Sequence, residues 1–316
     1  MISLIIPNFN KAPCLAEMLA SARAQAEVTQ IIVVDDASTD QSLEILRAGA
    51  ADDPRIELVP MADNHNASYC RNRGLERATA PYVIFLDSDD VLAMHCSRTR
   101  LASASQFPDH DLWVFPMLVF RDSPDRPLDR WIPRPGDHLR HFLAHRLDWQ
   151  TMQPLWRREF LVRLGGFDES FRRLQDPELH ARALLAGARV KCFPDVPPDC
   201  FYRAFSDDSA DTARLSARNI EATLHFYRTF SARVPSDLRP FVTGTLFECL
   251  AQHVNWARSR KLSHATYERA VHDLVTACDT TWQRRVLWSY ASLQRFLPIH
   301  VPGVNHVTRS LLGLLA

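Results

Sequence analysis

The chain has 316 residues, 46% of them hydrophobic and 23% charged, with 37 Lys plus Arg balanced by 37 Asp plus Glu. These values describe an ordinary globular protein with room for one large α/β domain, or for a domain and an extension. Zero formal net charge gives no global footprint for nucleic acid. No uninterrupted apolar run reaches the ~18–20 residues of a membrane-spanning helix.

Ile2 to Pro7 reads as a buried strand ended by proline. Asn10 is placed to cap a following helix that has Pro13 in its first turn and Leu15, Met18 and Leu19 on one face. Ile31 to Val34 is a second short apolar strand running into Asp35-Asp36, with Ser38, Thr39 or Asp40 as cap of a helix carrying Leu43, Ile45 and Leu46. Ile56 to Val59 is a third strand, Ala67 to Ala78 a helix, and Tyr82 to Leu86 a fourth strand. Leu112 to Phe120 predicts a further strand, and residues 121–150 an irregular excursion rich in Pro, Arg and His. Phe160 to Leu164 predicts a short helix stopped by Gly165-Gly166. Pro177 to Gly187 predicts another, with Asp176 as its cap. From Ala213 onward the helical pattern is nearly continuous, with breaks at Pro235, Pro240 and Pro298.

Near-continuous apolar strands alternating with amphipathic helices indicate a parallel sheet covered on both faces. Ligands of such sheets bind outside the carboxyl ends of the strands. Three strand ends here carry polar groups: Asn8 and Asn10, then Asp35 and Asp36, then Asp87, Ser88, Asp89 and Asp90. All three therefore converge on one edge. In the last group, three carboxylates within four positions repel one another, and a divalent metal such as Mg²⁺ or Mn²⁺ is their natural partner. The alternative is an acidic turn that caps the next helix.

With these residues in place the chain resembles the GT-A glycosyltransferases, specifically the large family 2 of inverting enzymes. The resemblance rests on I-I-P-N-F-N (5–10), I-I-V-V-D-D-A-S-T-D (31–40), an Asn64-to-Leu75 segment containing R-N-x-G-L, F-L-D-S-D-D (85–90), L-G-G-F-D-E-S-F (164–171) and Q-D-P-E-L (175–179). These six motifs span about residues 1–205 in the family's order. The resemblance implies a GT-A catalytic domain over 1–212, with a donor half to about residue 120 and an acceptor half beyond it. A mainly helical region follows over 213–316.

It further implies a nucleotide-diphosphate-sugar donor, with UDP-sugars favoured, and a glycan or lipid-linked acceptor. The donor-binding residues it suggests are Pro7, Phe9 and Asn10 of the first motif, Asp36, Arg71 and Asn72, and Asp87 with Ser88. Phe9 would pack near the nucleobase, where stacking is worth ~1–3 kcal/mol. Asp36 would receive the base's N–H. Asp89 matches the metal ligand for Mn²⁺ or Mg²⁺, and Asp176 the general base. Trp156 would be a sugar platform or a core aromatic. Gly165 and Gly166 would let the backbone approach the acceptor, with Gln175 beside them.

Two positions depart from the family pattern. Gln175 stands where an acid usually precedes the base. Phe205, in Tyr202-Arg203-Ala204-Phe205-Ser206, stands near a position where many members place a metal-binding His. These departures support a second reading, a weakened or inactive homologue serving as a nucleotide-sugar or glycan-binding module in an assembly complex. His138, His141 and His145 lie at helical spacings of three and four but lack the Glu of a HExxH zinc motif, and are expected on a polar helix face.

Residues 213–316 lie outside the resemblance and carry 13 basic against 6 acidic residues. Trp282, Val286, Leu287, Tyr290, Leu293, Phe296 and Leu297 form an apolar stripe flanked by Arg284, Arg285 and Arg295. Such a stripe packs on the catalytic domain, makes a homodimer, or lies peripherally on an anionic membrane. The seven Cys show no CxxC or paired spacing. An odd count with no charged leader predicts reduced thiols in the cytoplasm.

Overall fold

The protein is described here by a computed structural model over residues 1–205, 211–296 and 304–313. The chain divides into two units, Met1–Gly136 with Asp148–Ser206, and Asp137–Leu147 with Asp207–Ala316.

In the first unit the apolar runs form strands, joined by the short polar strand Asp129–Trp131. These are β1 (Ile2–Asn8), β2 (Val28–Asp35), β3 (Ile56–Pro60), β4 (Tyr82–Phe85), β5 (Val91–Leu92), β6 (Leu112–Val114), β7 (Met117–Phe120), β8 (Asp129–Trp131), β9 (Pro154–Arg157), β10 (Val190–Cys192) and β11 (Cys200–Arg203). Seven of them build one sheet in the order β10-β6-β9-β4-β1-β2-β3. Within it β1 runs parallel to β2 and β4, β2 to β3, and β6 to β10, whereas β9 is antiparallel to both its neighbours. A smaller sheet has the order β5-β11-β7-β8. Every residue of β1 is buried, as expected for a central strand covered on both faces.

The intervening helices of this unit are α1 (Ala12–Arg23), α2 (Ser42–Asp52), α3 (Ala67–Arg77), α4 (Cys96–Gln106), α6 (Arg158–Leu164) and α7 (Gln175–Leu185). Leu15, Met18, Leu19 and Ala22 of α1 recur at helical spacing and are buried, in one cluster with Leu4, Ile6, Ile31 and Val33 of the sheet. Burying an aliphatic side chain of this size is worth ~1.5–3 kcal/mol.

Several local expectations are corrected. Leu112 to Phe120 is two strands in different sheets, because Pro116 lies between them and has no N–H with which to continue a ladder. Asn10 does not cap α1. Asp40 does so from the next loop, one carboxylate oxygen accepting from Ala12 N at 3.0 Å and the other from Ser42 N at 2.9 Å, so that a single acid serves α1 and α2. Asp176 is not a cap either. Helix α7 begins two residues earlier than Pro177, at Gln175 after Leu174 at φ +58°, with Asp176 in its first turn.

The second unit is helical: α5 (His138–Leu143), α8 (Thr212–Arg233), α9 (Arg239–Arg258), α10 (His264–Ala277), α11 (Thr281–Phe296) and α12 (Val304–Leu311). Helix α9 is its hub, burying Phe241, Val242, Leu246, Phe247, Leu250 and Val254. Pro240 does not break this helix but sits in its first turn, where the missing N–H has no partner to lose. Asp211 and Ser263 cap α8 and α10 by accepting first-turn amides. The segment 121–150 is thus less irregular than its composition suggests, since it contains β8 and α5. His138 and His141 lie on α5, while His145 follows it at φ +56°. In the α11 stripe Val286, Leu287 and Tyr290 are buried, whereas Trp282 and Leu293 are exposed. Leu297, Pro298 and the side chains of Arg295 and Phe296 lie outside the described residues. Among the described residues, no helix is long and apolar enough to cross a membrane.

Candidate active site

Parallel pairing sends β1, β2 and β4 to the same edge, with Asn8 level with Asp35 and Ile5 level with Phe85. The polar strand ends therefore meet around one cleft of about 320 Å³. It is lined by Pro7, Phe9, Asp36, Arg71, Asp87, Ser88 and Asp89, expected at a donor or metal, together with Gln175, expected beside the acceptor, and with Asn8, Lys11, Ala67 and Cys70.

The two acids that end β2 have different tasks. Asp35 is 1% exposed. Its Oδ1 accepts from Asn8 Nδ2 and from Ser38 Oγ, both at 2.7 Å, and its Oδ2 accepts from Ser38 N at 3.1 Å. Asp36 borders the cleft, and its carboxylate accepts from His65 N at 2.9 Å and Asn64 Nδ2 at 3.1 Å. Carboxylate oxygens hold about four acceptor sites, so Asp36 retains capacity for a ligand N–H. Beneath it, burial and the Asp36 charge push the Cys70 thiol up, keeping it neutral. Phe9 is 44% exposed at the mouth, a large ring left uncovered.

Arg71, on α3, is buried and joins two sides of the cleft. Its Nη2 donates to Asp87 Oδ1 at 2.5 Å and its Nη1 to Gln175 Oε1 at 2.8 Å. Burial opposes its charge, yet Asp87 and Asp176 outweigh that and hold its pKa above the ordinary value. Gln175 is thus a neutral acceptor for an arginine already committed to Asp87.

At the end of β4, Lys11 Nζ lies 2.6 Å from Asp89 Oδ2. Asp90 is 1% exposed. Its Oδ1 accepts from Arg203 N at 2.7 Å, while its Oδ2 is buried without a hydrogen-bond partner. Burial first, then Asp87 and Asp89, hold the Asp90 carboxyl well above the usual carboxylate range. An orphaned buried oxygen beside two further carboxylates is a donor set that suits a hard divalent cation. Asp89, facing the cleft beside Asp87, would hold such an ion, with the buried Asp90 behind them.

The remaining candidates lie elsewhere. Asn10, at φ +52°, accepts with its amide oxygen from Thr39 N at 2.8 Å and Asp40 N at 3.3 Å, so it builds the loop rather than lining the cleft. Asn72 is a clamp: it donates to Phe167 O and Glu169 Oε1 and accepts from Phe167 N. Gly166, at φ +66°, leaves room for that clamp, since a Cβ there would sit 2.4 Å from Asn72 Oδ1. Gly165, in the left-handed region, closes α6. Asn72, Gly165 and Gly166 border a second cleft of about 450 Å³ with Arg73, Arg158 and Glu169.

Trp156 is fully buried in β9, stacked on His180 with ring centroids 5.7 Å apart. It is a core residue, not a sugar platform, because β9 is inserted between β4 and β6. Asp176 is half-buried next to the first cleft, its Oδ2 accepting from Thr151 N at 3.1 Å. Sequence reasoning missed Lys11, whose one signal was its rarity: Lys11, Lys191 and Lys261 are the only lysines in an arginine-rich chain.

Residues 3–168 match the family described as Glycosyl transferase family 2. The chain belongs to that family. A relative, the succinoglycan biosynthesis protein ExoU of Rhizobium meliloti strain 1021, is 29% identical over 220 residues, covering 64% of this chain and 61% of ExoU. The chain therefore spans about three fifths of that protein's length. The 1–349 portion of S. aureus TarS in complex with UDP-GlcNAc superposes with a TM-score of 0.63 at 17% identity, over 99% of this chain and 90% of that portion. The mannosyltransferase PcManGT of Pyrobaculum calidifontis, in complex with GDP-Man and Mn²⁺, matches with a TM-score of 0.55 at 20% identity, over 99% of this chain and 84% of that one. At such identities the likeness establishes the fold. The α/β GT-A class with a helical C-terminal region, expected from the motifs, is the one observed.

Proposed function

We propose that this chain is an inverting glycosyltransferase that moves a sugar from a nucleotide-diphosphate donor, a UDP-sugar by preference, to a hydroxyl of a glycan or lipid-linked acceptor. The observation that carries this reading is the single cleft in which Phe9, Asp36, Arg71, Asp87 and Asp89 converge. Supporting it, ExoU is named for succinoglycan biosynthesis, and the TarS and PcManGT structures hold UDP-GlcNAc and GDP-Man.

In this reading Phe9 is a flat floor for the base and Asp36 accepts the base's N–H. Asp87, oriented by Arg71, meets the ribose or sugar. A divalent ion held by Asp89 would neutralise the charge that develops on the leaving diphosphate. The acceptor oxygen attacks the anomeric carbon opposite that leaving group. As the new C–O bond forms and the bond to the diphosphate breaks, the hydroxyl proton passes to the Asp176 carboxylate. The amide of Thr151 holds Asp176 by one oxygen, leaving the other for the proton. Gln175 keeps a second negative charge away from that base.

The second reading, a binding module, draws on Gln175 and Phe205. Hydrolysis and transfer from UDP-sugars with Mn²⁺ separate the two readings. Asp176→Asn is expected to lose about 10²–10⁴-fold in turnover with UDP affinity kept. Nucleotide binding without turnover in the unsubstituted chain would favour the module.

A further inference from the structure

This inference rests on the reading of the cleft as a donor site, and it concerns how that site takes up its cation. Each carboxylate at the end of β4 already has a basic residue assigned to it. Asp87 is held by the buried Arg71. Asp90 is held by the amide of Arg203, whose Nε also donates to the carbonyl of Asp89 at 3.0 Å. Asp89 is paired with Lys11.

These pairs differ in how readily they part. The Arg71 side chain is 4% exposed and doubly bonded, and Arg203 is additionally tied to Glu17. The Lys11 side chain is 37% exposed and makes one ion pair, on a flexible four-carbon stem. Its backbone is fixed, Lys11 N donating to Ser42 Oγ at 3.1 Å. Its ammonium is seated from the other side by the Phe205 ring, 4.6 Å from the ring centroid. Phe205 offers no ligand atom to a metal, but it offers a π-face to an ammonium. Phe205, one of the two departures noted above, thus forms one device with Lys11, an aromatic residue and a lysine that together place a single positive charge on the acid expected to bind the ion.

An ammonium and a divalent ion cannot share Asp89 without strong like-charge repulsion at that separation. The charged side chains lining the cleft are Lys11 and Arg71 against Asp36, Asp87 and Asp89, a difference of one negative charge. That alone is little to attract a doubly charged ion past a resident cation. An incoming diphosphate brings further negative charge and tips the balance. We propose that Lys11, seated on Phe205, holds the ion position at Asp89 closed until a nucleotide diphosphate arrives, so that metal and donor bind together rather than metal first.

The test is Mn²⁺ binding to the full chain, followed by the electron-paramagnetic-resonance signal of free Mn²⁺, with and without UDP. The unsubstituted protein should bind Mn²⁺ at least roughly tenfold more weakly without UDP than with it, a coupling of ordinary allosteric size. Lys11→Met, which keeps the stem and removes the charge, should tighten nucleotide-free Mn²⁺ binding about tenfold and shrink the coupling accordingly. Lys11→Arg should retain the unsubstituted behaviour. Lys11→Gln serves the same purpose if the Met variant does not fold.

Nucleotide-free Mn²⁺ affinity left unchanged or weakened by loss of the Lys11 charge overturns the proposal. Equally tight Mn²⁺ binding with and without UDP in the unsubstituted chain does the same. Titration with UDP in the same series separates the two readings. If no UDP binds with or without Mn²⁺, the donor-site reading fails and takes this one with it. Normal UDP binding without a Lys11 effect overturns only the proposal about Lys11.

Discussion

Strands β2 and β4 both end in clustered aspartates at the same edge of the sheet, yet the two clusters are built on opposite principles. After β2, one acid is consumed by the scaffold and the other is left for a ligand. Asp35 ties Asn8 of β1 to the Ser38 turn through three hydrogen bonds, and this leaves Asp36 facing the cleft. After β4, none of the three acids is surrounded by donors. Asp87 and Asp89 each pair with one basic side chain, and Asp90, bonded to the backbone amide of Arg203, retains a buried oxygen with no partner. The first cluster is satisfied by neutral hydrogen-bond donors. The second leaves a buried carboxylate oxygen unpartnered beside two further acids, and that would suit it to a cation. Adjacent acids in a sequence therefore report a strand end, and their partners decide which acid does chemistry.

Removing the scaffold acid should give the largest effect. Asp35→Ala strips Asn8 and Ser38 of a shared charged acceptor in the core. Hydrogen bonds to charged groups contribute ~1.5–3 kcal/mol each, and the donors left behind are buried. A loss of about 3 kcal/mol is expected, seen in thermal melts as a fall in Tm of about 6–12 °C. An unchanged Tm accompanied by lost UDP affinity would mean that Asp35, not Asp36, meets the ligand.

The ligand-facing acid should show the reverse pattern. Asp36→Asn keeps an oxygen for His65 N, and the Asn64 amide can turn to match the new group. Stability should change little. UDP affinity by calorimetry should fall about tenfold, equivalent to ~1.4 kcal/mol, because a base N–H would then meet a weaker acceptor. A drop in Tm as large as that of Asp35→Ala would erase the distinction between the two residues.

How much of this was legible beforehand depends on where each partner lies in the chain. The parallel core was readable because its strands are nearly continuous apolar runs, and such runs are buried on both faces. The convergence of Asn8, Asp36 and Asp87–Asp90 followed from that topology alone. The resemblance singled out Asp36 over Asp35, but the hydrogen bonds that separate the two were not readable, since Asn8 lies 27 positions from Asp35 and Asn64 lies 28 from Asp36. Trp156 was ambiguous because a four-residue strand has too little period to reveal that it is inserted mid-sheet. Asp176 looked like a cap because Asp-Pro commonly starts helices, but Leu174 in the left-handed region moves that start forward. Such a backbone costs ~1–3 kcal/mol where it is not glycine, and nothing in a leucine announces it. Asn72 and Gly166 matched a functional motif, and their contact shows why the two go together: the glycine makes room for the amide that clamps its loop.

The smallest expected effect is also the one of opposite sign. In the β4 cluster, burial and the charges of Asp87 and Asp89 disfavour ionised Asp90. Asp90→Asn keeps the oxygen that accepts from Arg203 N and removes one like charge, while its amide group can donate toward the neighbouring carboxylates. In metal-free buffer near neutral pH the variant should therefore be more stable than the unsubstituted chain, by about 1 kcal/mol, or a rise of ~2–4 °C in Tm. With Mn²⁺ and UDP added the advantage should shrink, because the bound ion offsets the same repulsion in the unsubstituted protein and stabilises whichever chain binds it more tightly. A variant less stable in metal-free buffer would show that Arg203 already balances Asp90. The two aspartate clusters would then differ in geometry but not in charge, and the argument for a cation at β4 would lose its electrostatic half.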